Sequence, residues 1–412
     1  MNRPLDFADT VADLLAVPNR PAGMDDSVWR QSLAHGIPGI ILLHTELAAA
    51  GRAPWLRVHD WLTAATHTAL IRGESSHPFH GTPALATALA HAAGHFPGAY
   101  ARTLDQLNTT IEADVLRRVD TAHARIDSGR PPELAEFDVI RGLTGYGAYL
   151  LRHHPASKAV PAVLCYLVRL TEPLTVGEQT VPGWWTWTGP SGLSDDRFPY
   201  GHANAGVAHG IGGPLALMGL ATRAGTSVPG LLAAISTVLA WLDYWGTETP
   251  GGVVWPYWIT MDDLRAGRWE PEGLMRPSWC YGAAGLARAQ QLAAIALADH
   301  ARQHAAETAL IQAVTDPARL AVTGDGSLCH GFAGLAHLAC RAATDALPAN
   351  RIRLQAAVPE LLDRALQPSR EPEEVIAAVA ADTGLGLLEG VAGIALAALD
   401  THACWDTSLL TA

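Results

Sequence analysis

Cysteine is scarce: Cys165, Cys280, Cys329, Cys340 and Cys404 are scattered over 412 residues. That excludes a disulfide framework, so each thiol is either a core residue or a chemical group. Charge is sparse and tilted to one sign, with a formal net charge of −12 and no run of Lys or Arg long enough to track phosphates. Nucleic acid is therefore excluded as a partner, whereas a basic peptide would suit an acidic surface. No stretch reaches the ~20 uninterrupted apolar residues of a membrane span. The N-terminal MNRPLDFADT lacks the apolar core of a signal peptide, so the expected location is the cytoplasm. With charged residues at 17% and apolar ones at 49%, the composition is that of a globular chain with a large core.

Glycine, by contrast, is plentiful and periodic. A signature recurs as AHGIPGIILL (34–43), FHGTPALATAL (79–89), IRGLTGYGAYLL (140–151), AHGIGGPLALMGL (208–220), CYGAAGLARAQQL (280–292), CHGFAGLAHLA (329–339) and LEGVAGIALAAL (388–399). Each copy has a glycine, in most cases a second glycine three positions on, and then an Ala/Leu-rich run at helical spacing. Glycine before a helix is expected to supply positive φ, and glycine in the first turn to allow close helix approach. Between the copies lie further helical segments, such as VPGLLAAISTVLAWLDYW (228–245), with apolar residues three and four apart.

The first glycines stand 45 to 72 residues apart, longer and less regular than most solenoid repeats. The expected fold is all-α: a closed α/α toroid of seven inner and seven outer helices, forming a single domain over 1–412. Two Trp/Gly/Pro-rich segments, 175–201 and 249–277, interrupt the helical pattern and are expected as non-helical, β-containing rim insertions. They read equally as covers packed on the rim or as a peptide-binding lip.

If all seven loops open at one end, the residues before the first glycine (His35, His80, Arg141, His209, Tyr281, His330 and Glu389) ring the mouth. Cys280 and Cys329 occupy equivalent positions in consecutive repeats, one residue further upstream. Cys280, Cys329 and His330 thus make a plausible zinc site with one open position. Two alternatives stand beside it: a closed site completed by His337 or Cys340, and cysteines that merely pack. His337 lies seven residues after His330, about 10 Å along a helix, which counts against the closed site. Two thiolates soften the ion and favour a sulfur ligand in the open position, so activation of a substrate thiol leads. His209 could act as acid or base. Asp138 could orient a histidine or cap a helix, and Arg276 could hold an oxyanion or pair with a carboxylate.

Taken together, RPSWCYG, LCHGFAG, AHGIGG and FDVIRGLTG resemble the motif set of the lanthionine synthetase C family, cyclases of class I lanthipeptide biosynthesis, and the resemblance spans the chain. It implies an α,α-toroid and a Zn2+ ion held by Cys280, Cys329 and His330. It also implies an acid/base histidine at His209, with Asp138, Arg276 and Tyr281 as the remaining catalytic positions. The implied reaction is Michael-type addition of peptide cysteine thiols to dehydroalanine or dehydrobutyrine, giving (methyl)lanthionine rings. The implied substrate is a dehydrated precursor peptide, leader plus core. The expected partners are a separate dehydratase and an exporter, with the enzyme peripheral to a membrane in such a complex. The alternatives are a non-catalytic zinc-containing peptide scaffold and a relative that adds glutathione to dehydroamino acids. A glycosidase ranks low, since Glu389 alone of the ring positions is acidic.

Overall fold

The structure, a computed structural model, describes residues 3–271, 273–399 and 404–412. All seven signatures stand where the repeat predicts, at the start of a helix: Ile37–Ala49, Thr82–His95, Leu143–His153, Gly212–Arg223, Ala283–Ala296, Phe332–Asp345 and Val391–Leu399. The intervening segments are helical too, including Leu231–Trp245 within the 228–245 stretch. The two helix types differ in burial as their sequences do. Every residue from Ile37 to Ala48 is buried, whereas Trp55–Ala65 buries only Val58, Trp61, Leu62 and Ala65, one stripe at spacings of three and four. Among the described residues no helix is long and apolar enough to cross a membrane.

Glycine is needed partly for the reasons expected and partly for another. Of the first glycines only Gly81 (φ 75°) and Gly282 (φ 150°) lie at positive φ; the other five are held by close backbone approach. At Gly142, Gly331 and Gly390, a Cβ would strike the backbone nitrogen four residues earlier. The second glycine faces a carbonyl six residues earlier. Gly39 meets Leu33, Gly213 meets Val207, Gly285 meets Trp279, Gly334 meets Leu328 and Gly393 meets Leu387, each closer than the 3.0 Å that a Cβ requires. The loop is thus folded back tightly onto its own helix.

That folding also answers where the helices' first N–H groups go, since these N-termini mostly lack a side-chain cap. Carbonyls seven residues upstream accept them: Asp138 from Gly145 (3.4 Å), Asn204 from Ile211 (3.0 Å), Ser278 from Gly285 (3.1 Å), Ser327 from Gly334 (3.0 Å) and Gly386 from Gly393 (3.3 Å).

The chain divides into two compact units, Met1–Ile111 with Thr323–Cys340 and Gln355–Asp406, and Glu112–Val322 with Arg341–Leu354 and Thr407–Ala412. In the first, backbone hydrogen bonds join neighbouring loops in series. Cys329 N donates to Leu388 O (2.8 Å), Leu388 N to Ala34 O (3.1 Å) and Leu33 N to Phe79 O (2.9 Å), so the last repeat is tied directly to the first. In the second unit, Val139 N donates to Ala208 O (3.0 Å) and Val207 N to Cys280 O (2.9 Å), linking repeats three, four and five.

The interrupted segments carry small antiparallel sheets. Leu174–Val176 pairs with Gln179–Val181, and Thr247–Thr249 with Gly252–Val254. Trp185–Thr186, His202–Asn204 and Trp258–Thr260 form a third sheet, with His202–Asn204 in the middle. The stretch 249–277 is not wholly non-helical: Met261–Ala266 is a short helix, started by a capping box between Thr260 and Asp263. Trp184, Trp185 and Trp255 are buried, while Trp187 is exposed. Three of the six tryptophans in these segments thus serve as core.

Candidate functional site

In the second unit the loop starting the third repeat presents Asp138, which is buried. Of the two readings of this residue, the contact with a histidine is present, whereas the helix Leu143–His153 has no side-chain cap. Asp138 Oδ1 accepts from the backbone N–H of Arg141 (2.6 Å) and Gly142 (2.8 Å), fastening the loop, while Oδ2 meets His209 Nδ1 at 2.7 Å. Because Nδ1 is taken by the carboxylate, Nε2 is the nitrogen that His209 can offer to a substrate. The His209 side chain is about a quarter exposed.

The His209 ring lies 6.3 Å from that of Tyr281, tilted by 30°. The Tyr281 hydroxyl accepts from Asn204 Nδ2 at 2.8 Å, so the central strand of the small sheet fixes the phenol. One residue away, Cys280 is buried with its Sγ 3.7 Å from Ser278 Oγ. The Ser278 hydroxyl donates to Tyr281 O, and Tyr281 N donates back to it (3.3 Å), tightening the turn that carries both Cys280 and Tyr281.

Arg276 precedes that turn, and its carbonyl accepts from the Tyr257 hydroxyl at 3.5 Å. Burial pushes the Tyr257 phenol up, and the Arg276 charge opposes the shift. Tyr257, whose ring is 5.7 Å from that of Tyr281, joins Asn204 and Ser278 as site residues that sequence reasoning missed. The only signal for Tyr257 was an aromatic-rich segment, and nothing in the pattern distinguished Asn204 or Ser278 from ordinary strand and turn residues.

In the first unit, Cys329, His330 and Glu389 offer ligand atoms within 4.8 Å of one another. Both His330 nitrogens are engaged: Nδ1 with Asp325 Oδ2 (2.9 Å) and Ser327 Oγ (3.2 Å), and Nε2 with Glu389 Oε1 (3.3 Å). Burial pushes the Asp325 carboxyl up, but hydrogen bonds from His330 and Ser327 outweigh it and hold the group well below the usual carboxylate range. Hydrogen bonding to His330 likewise lowers Glu389, against burial and with help from the His35 charge.

Asp325 is a further residue the sequence concealed, since a DG pair reads as a turn. His337, weighed as a fourth ligand, is turned elsewhere: its Nε2 meets Asp406 Oδ2 at 2.9 Å and its ring lies against Trp405.

A thiol beside an imidazole whose far nitrogen is held by a carboxylate is the donor set of a borderline-soft metal, so the residues fit zinc. The profile of the lanthionine synthetase C-like protein family matches residues 27–407, and the chain belongs to that family. Among curated relatives it is similar to the nisin biosynthesis protein NisC of Lactococcus lactis subsp. lactis, at 23% identity over 374 residues, 89% of this chain and 84% of that one. It is similar in structure to nisin cyclase, with a TM-score of 0.77 and 21% identity, covering 98% of this chain and 96% of the other. At that identity the likeness speaks to fold alone, and it bears out the expected all-α class of the α/α-toroid kind.

Proposed function

We propose that the protein is a zinc-dependent lanthipeptide cyclase that adds peptide cysteine thiols to dehydroalanine or dehydrobutyrine, forming (methyl)lanthionine rings. The observation that carries the reading is the pair of carboxylate-anchored histidines on equivalent loops, Asp138–His209 and Asp325–His330 (2.7 and 2.9 Å). The family and the named relatives point the same way.

Cys280, Cys329 and His330 are the proposed metal ligands, with Asp325 holding His330 so that Nε2 is the donor. Bound there, zinc would lower the pKa of a substrate thiol and present its sulfur as a nucleophile. Attack on the β-carbon forms the C–S bond and moves the alkene electrons onto the amide oxygen as an enolate. Arg276 supplies positive charge for that oxygen. His209 delivers a proton to the α-carbon, completing the ring, and Asp138 holds the imidazole in the tautomer and orientation that this transfer needs. Tyr281, fixed by Asn204, borders the same imidazole.

The substrate is a dehydrated precursor peptide, leader plus core. Its alkenes must come from a reaction that eliminates water from Ser and Thr, so a dehydratase acts first, and an exporter would follow. The test is to incubate the zinc-loaded protein with dehydrated precursor and count thiols open to alkylation. Cyclisation removes them without changing the peptide's mass. Thiols that stay alkylatable with zinc bound would overturn the proposal in favour of a peptide-binding scaffold.

A further inference from the structure

A second group of metal-ligand residues lies in the first unit, remote from the glycine loops. Glu46 is on the Ile37–Ala49 helix, and His91 and His95 are on Thr82–His95. The two helices pack together, and Glu46 lies nine residues, roughly 14 Å, beyond the first residue of its helix. Glu46 Oε1 is 2.6 Å from His91 Nε2 and 3.3 Å from His95 Nε2, and the three donor atoms lie within 4.8 Å of one another.

Ordinary core packing accounts for one buried Glu–His pair. It does not explain why a second imidazole, one turn further along the same helix, brings the same ring nitrogen to 3.3 Å from the same carboxylate oxygen. Histidines four apart on one helix face, completed by a carboxylate from another helix, form a set that takes a divalent metal with one position left for water. Glu46 and His91 are almost wholly buried, while the His95 side chain is 29% exposed and gives an ion its access route.

The spacing is also close to that of a loaded site. Metal–donor bonds of about 2.1 Å at tetrahedral angles put donors roughly 3.4 Å apart. The Glu46–His95 distance is already 3.3 Å, and Glu46–His91 would open by somewhat under 1 Å as the shared proton leaves.

We propose that Glu46, His91 and His95 bind a second divalent transition ion, zinc by its ligand set, in a nitrogen- and oxygen-only site that pins the first two repeats together. Because it contains no thiolate, it differs spectroscopically from any site that uses Cys329. The experiment is to strip the purified full chain of metal, dialyse it against Zn2+ and measure bound zinc per chain, then repeat with Co2+ and record the visible spectrum.

Wild type should hold one more equivalent than His95→Ala, and the same difference should separate Cys329→Ala from the Cys329→Ala/His95→Ala double variant. In Cys329→Ala the bound Co2+ should show d–d bands without sulfur charge transfer. Equal zinc in wild type and His95→Ala would overturn the proposal, as would sulfur charge transfer accompanying all bound Co2+. Because His95 is half-buried, its variant tests the site even if Glu46→Gln does not fold. A fault in the cyclase reading would alter the Cys329 arms and leave the His95 difference in place.

Discussion

His209 and His330 begin the same way, each directly before the first glycine of a repeat, and end in different surroundings. The carboxylate that holds His209 Nδ1 comes from the preceding repeat, 71 residues away, and also fastens its own loop through Arg141 N and Gly142 N. The carboxylate that holds His330 comes from its own loop, five residues back, while Glu389 meets the other nitrogen and Cys329 stands beside it. On the proposed function one imidazole moves a proton and the other holds an ion; the His-Gly signature is the same in both, and the surroundings differ.

The contrast breaks most visibly at Cys329. Cys329→Ala should abolish both metal retention in the glycine loops and ring formation, measured by metal analysis and thiol alkylation; zinc retained with cyclisation at the wild-type rate would remove the thiolate from the account. Next in size is Asp138→Asn, which keeps an acceptor for Arg141 and Gly142 but turns an amide N–H toward His209 Nδ1. Cyclisation should slow by roughly 10²-fold or more with zinc content unchanged, as expected for a misoriented acid–base group. On the other side, Asp325→Asn should weaken zinc binding by about 10–100-fold, the usual effect of removing a carboxylate behind a ligating histidine. Competition with a chelator would read this, and an unchanged affinity would mean that Asp325 serves the loop alone. The smallest effect should be one the two loops share. Gly213→Ala and Gly334→Ala each drive a Cβ into the carbonyl six residues earlier and should cost about 1–3 kcal/mol in denaturant unfolding.

The helices were legible because a repeated pattern of Gly and Ala/Leu is itself the physical cause of a tight loop entering a buried helix. The reason for the glycines was less so. Gly334 and Gly142 sit at ordinary negative φ and are required by backbone atoms that arrive from four to seven residues upstream, contacts that exist only once the loop has closed. The ring of loop residues could be read by aligning the repeats, and the Asp138–His209 contact joins one of them to a residue singled out just upstream of the third signature. Asp325, Ser278, Asn204 and Tyr257 could not be read that way, because each acts through a neighbour and looks in sequence like a turn, strand or aromatic residue. The short Met261–Ala266 helix was hidden for a related reason: six residues are too few for a period to show, and its capping box was the only local signal.

In the proposed function two histidines of one repeat family divide the work, His330 holding the metal and His209 moving the proton. His209→Asn and His330→Asn, assayed side by side for bound zinc and for alkylatable thiols after incubation with dehydrated precursor, test it most directly. The His209 variant should keep the glycine-loop zinc and lose cyclisation by about 10²–10⁴-fold, while the His330 variant should lose both. Loss of that zinc in the His209 variant, or full cyclisation in either, would contradict it.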